Sequence, residues 1–321
     1  MKKLILFVIS SFVIFHSASA DELKAKVERS EIHRIDSLFI KACGGLEKYR
    51  DLAEPSKKTL VEMGGEAVPY LLDKLDTQDA REMWTLIEIL GKIGEPAVLP
   101  LIDSLKSNNK DVVKLSSRIL GDIKDKRAVP PLIGLLNKDD FNTRGYACES
   151  LGKIGDTTAF TSVSLCLKDS VEVVRKSAAV ALGRLKDKRA ISYLIQGLSD
   201  PHFSVRMTSA SALVEIGKPS VKPLIKLLNK LKTDTIAAHL AIESLGKLKN
   251  KKATSTLIKK LRSKDWTTRA FTVEALGKIG DKNGSASLTM KGITAIKKLK
   301  KKETHPFVSK KIEEVLAKIK K

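Results

Sequence analysis

The stretch DKRAVPPLIGLLNKDDFNTRGYACESLGKIG, Asp125 to Gly155, reads as two helices and a turn. A first helix starts near Ala128, with Pro130 and Pro131 in its first turn, where a missing N–H costs little. Leu132, Ile133, Leu135 and Leu136 give it apolar pairs at helical spacing. Asn137 to Asn142 is polar and turn-like. A second helix runs from about Phe141 to Leu151, and Gly152 falls where a left-handed C-cap residue is wanted. No segment of the chain alternates at period two over a useful length, so no β-sheet is expected.

The closing phrase of that stretch recurs. It reads LVEMG from Leu60, LGKIG from Leu90, LGDIK from Leu120, LGKIG from Leu151, LGRLK from Leu182, LVEIG from Leu213, LGKLK from Leu245 and LGKIG from Leu276. The spacings are 30, 30, 31, 31, 31, 32 and 31 residues. A period this constant means a stack of similar supersecondary units. Each unit offers about five or six aliphatic side chains, worth about 1.5–3 kcal/mol apiece when fully buried. Ordering the backbone costs about 1–2 kcal/mol per residue, so a single unit does not fold and the array does. The fold class is all-α: a right-handed α-solenoid of about eight two-helix repeats of about 31 residues.

The second helices carry VVRKSAAVALG (Val173–Gly183), SVRMTSASAL (Ser204–Leu213) and TTRAFTVEALG (Thr267–Gly277), and Asp169 and Asp200 stand six residues before Arg175 and Arg206. These phrases resemble the short HEAT-like repeats of PBS-lyase type, found in phycobilin lyases and in many unrelated scaffolds. The resemblance covers roughly residues 55–285 and implies the fold far more than any activity. The Arg column holds Arg144, Arg175, Arg206 and Arg269 but is interrupted at Met83 and Ala238, so a continuous Asp–Arg ladder is not expected.

The ends differ from the repeats. Lys2 and Lys3, an apolar run from Leu4 to Phe15 and Ala18-Ser19-Ala20 make residues 1–20 an expected signal peptide, cleaved after Ala20. That implies a periplasmic or secreted protein. Residues 21–54 read as an N-terminal helical cap, 55–285 as the repeat array and 286–321 as a lysine-rich C-terminal helical cap. The formal charge of +22 becomes +20 once the signal's two lysines are gone. Lys291 to Lys321 alone holds eleven lysines against Glu303, Glu313 and Glu314. Outside the cytoplasm such a charge, mostly lysine, either serves solubility alone or points to anionic lipid, polysaccharide or acidic protein rather than nucleic acid. Cys43, Cys148 and Cys166 show no metal-ligand spacing. Cys148 and Cys166 are either a disulfide or buried thiols.

No catalytic motif, metal cluster or cofactor fingerprint is present. Deoxyhypusine hydroxylases, which use similar repeats, bind iron through His-Glu pairs, and this chain has no His-Glu dipeptide. The expectation is therefore a non-catalytic scaffold without a cofactor that binds a protein or peptide on its concave face. An exported lyase-like enzyme is the third-ranked alternative. Positions two and six before each phrase leucine share a helix face turned from the core. They nominate Trp84, Glu88, Lys114, Arg118, Glu149, Lys176, Met207, His239, Glu243 and Glu274 as partner contacts. Phe141, Phe203 and Trp266, ten before the leucine, read as staples closing the turn. The second-ranked alternative is an anionic surface bound by Lys297, Lys298, Lys300, Lys301 and Lys302 of the C-terminal cap.

Overall fold

A computed structural model of the chain describes residues 20–231, 236–280 and 286–320; the expected signal peptide, all but its last residue, lies outside them. Every regular element among the described residues is helical. The chain forms two compact units, one closing at Ala97 and the other running from Val98.

The first unit holds α1 (Ala20–Cys43), α2 (Ala53–Met63), α3 (Val68–Leu72) and α4 (Ala80–Ile93). Ile35 and Phe39 of α1, Leu60 of α2, Leu71 of α3 and Leu86 and Leu90 of α4 make its core. Asp79 caps α4 by accepting the N–H groups of Arg81 and Glu82 at 2.7 and 3.1 Å. Helix α5 (Glu95–Ser104) straddles the boundary between the units.

The second unit alternates first and second helices. Beyond α5, the first helices are α7 (Val129–Leu135), α9 (Phe160–Leu165), α11 (Ala190–Gly197), α13 (Val221–Lys230), α15 (Thr254–Lys260) and α17 (Ala286–Lys300). The second helices are α6 (Lys110–Ile123), α8 (Phe141–Ile154), α10 (Glu172–Leu185), α12 (Phe203–Ile216), α14 (Ile236–Lys247), α16 (Trp266–Gly280) and α18 (Pro306–Lys320). Each second helix packs on the next, forming one layer with the first helices behind it. The phrase leucines of this unit, from Leu120 to Leu276, are all at most 3% exposed, so the repeat phrase is the core. In the C-terminal cap, Ile296, Ile312 and Val315 are buried, as their helical spacing suggests.

The glycine after the phrase leucine does a different job from the C-cap expected of Gly152. Gly152 lies inside α8, not at its end. A Cβ placed on it would sit 2.5 Å from Ala181 Cα of α10. Gly121, Gly183 and Gly246 face Ser150, Ala212 and Ala275 in the same way. These glycines let successive second helices approach backbone to backbone.

The left-handed stop falls three residues later, on the last residue of the phrase. Gly155 (φ 78°) ends α8, whereas Lys124 (φ 64°), Lys186 (φ 52°) and Lys249 (φ 47°) fill the same slot elsewhere. A side chain in that region costs about 1–2 kcal/mol, partly offset by the greater freedom of glycine in the unfolded chain. Lys186→Gly is therefore expected to stabilise the protein by roughly 0.5–1 kcal/mol. Urea denaturation should show a raised midpoint, and a lowered midpoint would contradict this account of the helix stop.

Arginines pin the second helices at their starts. The Arg175 guanidinium donates to the carbonyls of Asp169 and Ser170, at 2.8 and 3.1 Å, closing its own turn. It then reaches the next repeat, donating to both Asp200 oxygens at 2.8 and 3.1 Å. Arg144 repeats the arrangement with Asp169, and Arg269 with Glu303. Where Ala238 interrupts the column, the neighbouring His239 takes over, its Nε2 lying 3.1 Å from Asp265. His239 thus supplies a rung at Ala238, whereas Arg206 donates to the Asp200 and Pro201 carbonyls of its own turn. Cys148 and Cys166 are buried free thiols, and the Cys166 thiol donates to the Ser162 carbonyl at 3.6 Å.

Candidate functional site

The exposed side of the second-helix layer carries a recess near its C-terminal end. Asp265 fixes the start of α16 by accepting the N–H groups of Thr267 and Thr268 at 3.3 and 2.8 Å. Burial raises the Asp265 pKa, but the hydroxyls and N–H groups of Thr267 and Thr268 outweigh it and hold the carboxyl far below the usual carboxylate range. It is therefore a fixed anion. The next residue, Trp266, projects from this rigid cap. Its ring stacks on His305, with centroids 4.3 Å apart and planes at 7°. Phe307, at the start of α18, meets it edge-on at 5.5 Å. One turn further along α16, Phe271 stacks on His239 at 5.3 Å.

Trp266, Ala270, Phe271 and Phe307 line a recess of about 330 Å³, with Glu274 and Lys311 at its edge. The same two charged residues border a second recess of about 420 Å³, which continues between α16 and α18 over Gly277 and Val315. Trp266, Phe271 and Phe307 are 39%, 37% and 52% exposed, although each has a ring neighbour. Three partly exposed aromatic rings on one recess can receive an apolar side chain or a proline, while the flanking charges orient a backbone. Glu274 is already paired with Lys278 at 2.8 Å, and Lys311 with Glu314 at 3.0 Å.

Trp266 is therefore part of the recess as well as the first residue of α16. Phe203, at the same position of α12, is 66% exposed, with the Arg206 guanidinium 5.9 Å from its ring centre. Phe141 is likewise exposed.

The other nominated residues lie at the surface of the second helices, exposed or half-buried. Lys114 sits over the Tyr146 ring at 5.7 Å, and Glu149 accepts from the Ser177 hydroxyl at 3.1 Å. Glu243 pairs with Lys247 at 2.8 Å. This is the favourable i,i+4 order, Glu before Lys, that Glu274 and Lys278 also adopt. Arg118, Lys176 and Met207 border the same layer. His239 is less available than its column suggests, because Asp265 and Thr268 hold its ring. In the first unit, Trp84 is 59% exposed, and Glu88 bridges Lys57 and Lys92 at 2.8 and 2.6 Å.

The C-terminal lysines divide. Lys298, Lys301 and Lys302 face a separate cavity between α15 and α17, Lys300 pairs with Glu313 at 3.3 Å, and Lys297 is exposed. Among the described residues no group of His, Cys, Asp and Glu is arranged to hold a metal, and no helix is long and apolar enough to cross a membrane.

A family model of HEAT repeats matches residues 99–182, 162–235 and 221–317. The chain belongs to the HEAT-repeat family. It is 30% identical over 152 residues to the uncharacterized phycocyanin operon protein Z of Pseudanabaena tenuis, covering 44% of this chain and 75% of that one. It is 33% identical over 107 residues to the phycocyanobilin lyase subunit alpha of a Nostoc species. That match covers 30% of this chain and 39% of the subunit, well under half its length. Among solved structures, YibA of Escherichia coli superposes with a TM-score of 0.50 at 20% identity, over 83% of this chain and 95% of that one, a likeness of fold alone. The HEAT-repeat scaffold explains the layered second helices, and the aromatic recess is built on its last repeats.

Proposed function

We propose that the chain is an exported, non-catalytic HEAT-repeat scaffold that holds a protein partner through a peptide segment laid in the α16–α18 recess. The observation that carries this reading is the convergence of Trp266, Phe271 and Phe307 on one apolar recess. Exposed aromatic clusters of this kind mark interaction sites, and buried aromatic anchors dominate interface energies. In this reading Trp84 supplies a second contact on the first unit. The paired surface charges of the second helices contribute orientation more than affinity.

The test is partner capture from an envelope extract by the wild type and by a Phe271→Ser/Phe307→Ser variant, with helix content checked by circular dichroism. The variant should keep its fold and lose the partner, with affinity falling at least about thirtyfold for two hot-spot rings. Trp84→Ala should weaken capture less and leave thermal stability unchanged. Equal capture by the wild type and the double variant would remove the recess from the account.

The relationship to the phycocyanobilin lyase subunit alpha supports a second reading, in which the chain handles phycocyanobilin. A change in phycocyanobilin absorbance on mixing with the protein favours that reading, and an unchanged spectrum favours the scaffold.

A further inference from the structure

On the other side of the same end, α15 and α17 border a half-open cavity of about 720 Å³. This size falls within the roughly 300–1,000 Å³ typical of small-molecule sites. Its walls are of two kinds. Ile258, Leu261, Met290, Ala295 and Leu299 supply an apolar surface. Arg262, Lys291, Lys298, Lys301 and Lys302 supply five cations, and among the described residues no acidic side chain lines the cavity. The next acid in the chain, Glu303, is turned inward, its side chain 2% exposed and bonded to Arg269.

A solvated surface explains neither feature well. Lysines in water need no recess, and an apolar floor gains nothing by being ringed with like charges, which repel one another. Met290 is 56% exposed at this site. A ligand that covers the apolar floor and neutralises the rim relieves both costs together. Neither a plain anion nor a neutral chain does so.

We propose that this cavity binds a single-chain anionic amphiphile, with the chain on the apolar floor and the acidic head among Arg262 and the four lysines. This goes beyond peptide binding in the aromatic recess and does not rest on it, since the two sites share no lining residue. A recessed cavity between two helices takes one molecule at a time, which favours a free fatty-acid-like or lysophospholipid-like ligand over a bilayer surface.

The test is isothermal titration of the full chain with dodecyl phosphate below its micelle threshold. Inorganic phosphate, dodecyl maltoside and phosphatidylglycerol vesicles serve as comparators. Dodecyl phosphate should bind one per chain and weaken with salt, with phosphate and dodecyl maltoside each at least about tenfold weaker. Lys298→Gln/Lys301→Gln/Lys302→Gln, all on exposed side chains, should cost about fivefold per lysine, roughly a hundredfold in all. Ala295→Trp, which fills the floor, should abolish dodecyl phosphate binding. Equal affinity for dodecyl maltoside would overturn the role of the cations. Inorganic phosphate binding as tightly as dodecyl phosphate would overturn the role of the floor. Binding only to vesicles, undiminished by Ala295→Trp, would show a membrane-facing patch instead of a pocket.

Discussion

Arg175→Ala lowers the unfolding free energy by about 3–5 kcal/mol, the range for leaving one member of a buried ion pair alone. Arg175 and Asp200 are each only 10% exposed, and the substitution removes four hydrogen bonds at once. Two of these hold the turn of its own repeat and two hold the next repeat, so both are loosened together. Arg175→Met/Asp200→Asn should be milder than the sum of the two single changes, because no buried charge is then left without its partner. The effect also carries a pH signature. Burial raises the Asp200 pKa, but the Arg175 guanidinium and the His202 N–H outweigh it and hold the carboxyl below its ordinary value. A depressed folded-state pKa gives stability that is fully present above the unfolded value, about 3.9, and is lost as pH falls through the folded one. The gap between wild type and Arg175→Ala should therefore be wide at neutral pH and shrink progressively as pH falls below about 4. Urea titrations at both pH values check this, and a gap independent of pH would separate the loss from the ion pair.

Gly152→Leu should be comparably damaging through a different force. The Cβ of any side chain at Gly152 meets Ala181 Cα at 2.5 Å and Ala181 Cβ at 2.8 Å, and both neighbours belong to a packed helix that cannot swing aside like a flexible side chain. Overpacking of this kind costs about 1–3 kcal/mol or more, and leucine adds volume beyond the Cβ. Gly134→Ala on α7 is the control. Nothing lies within 4 Å of its added methyl group, and alanine is the better helix former by about 1 kcal/mol. Thermal unfolding should rank Gly134→Ala at or above wild type and Gly152→Leu well below it. A Gly152→Leu variant as stable as wild type would show that successive second helices do not approach as closely as described.

The periodic part of this architecture was legible because one force repeats it. A leucine that must be buried every 30 to 32 residues leaves a mark in any single sequence, and those leucines are the core. Gly152 reads as a helix stop in the sequence but serves a close approach in the structure, because both ask for the same residue. The deciding sign was available three residues on, where Gly155 alternates with Lys124 and Lys186 in left-handed conformations. His239 looked like a surface contact because a column shows one helix at a time, whereas its partner Asp265 caps the next second helix. The aromatic recess was hidden for a related reason. Phe307 lies beyond the point where the period breaks, so no repeat alignment places it beside Trp266 and Phe271. The amphiphile cavity likewise joins Arg262 to lysines on a helix outside the regular phrase.

The central claim, that this HEAT-repeat chain is a scaffold whose α16–α18 recess takes a peptide, is tested most directly by hydrogen–deuterium exchange with and without the captured partner. The account predicts slowed exchange at the start of α16 around Trp266 to Phe271 and at the start of α18 around Phe307, with the first helices α7, α9 and α11 unchanged. Protection confined to the first helices, or none around Trp266 and Phe307 in a complex shown to be saturated, would contradict it.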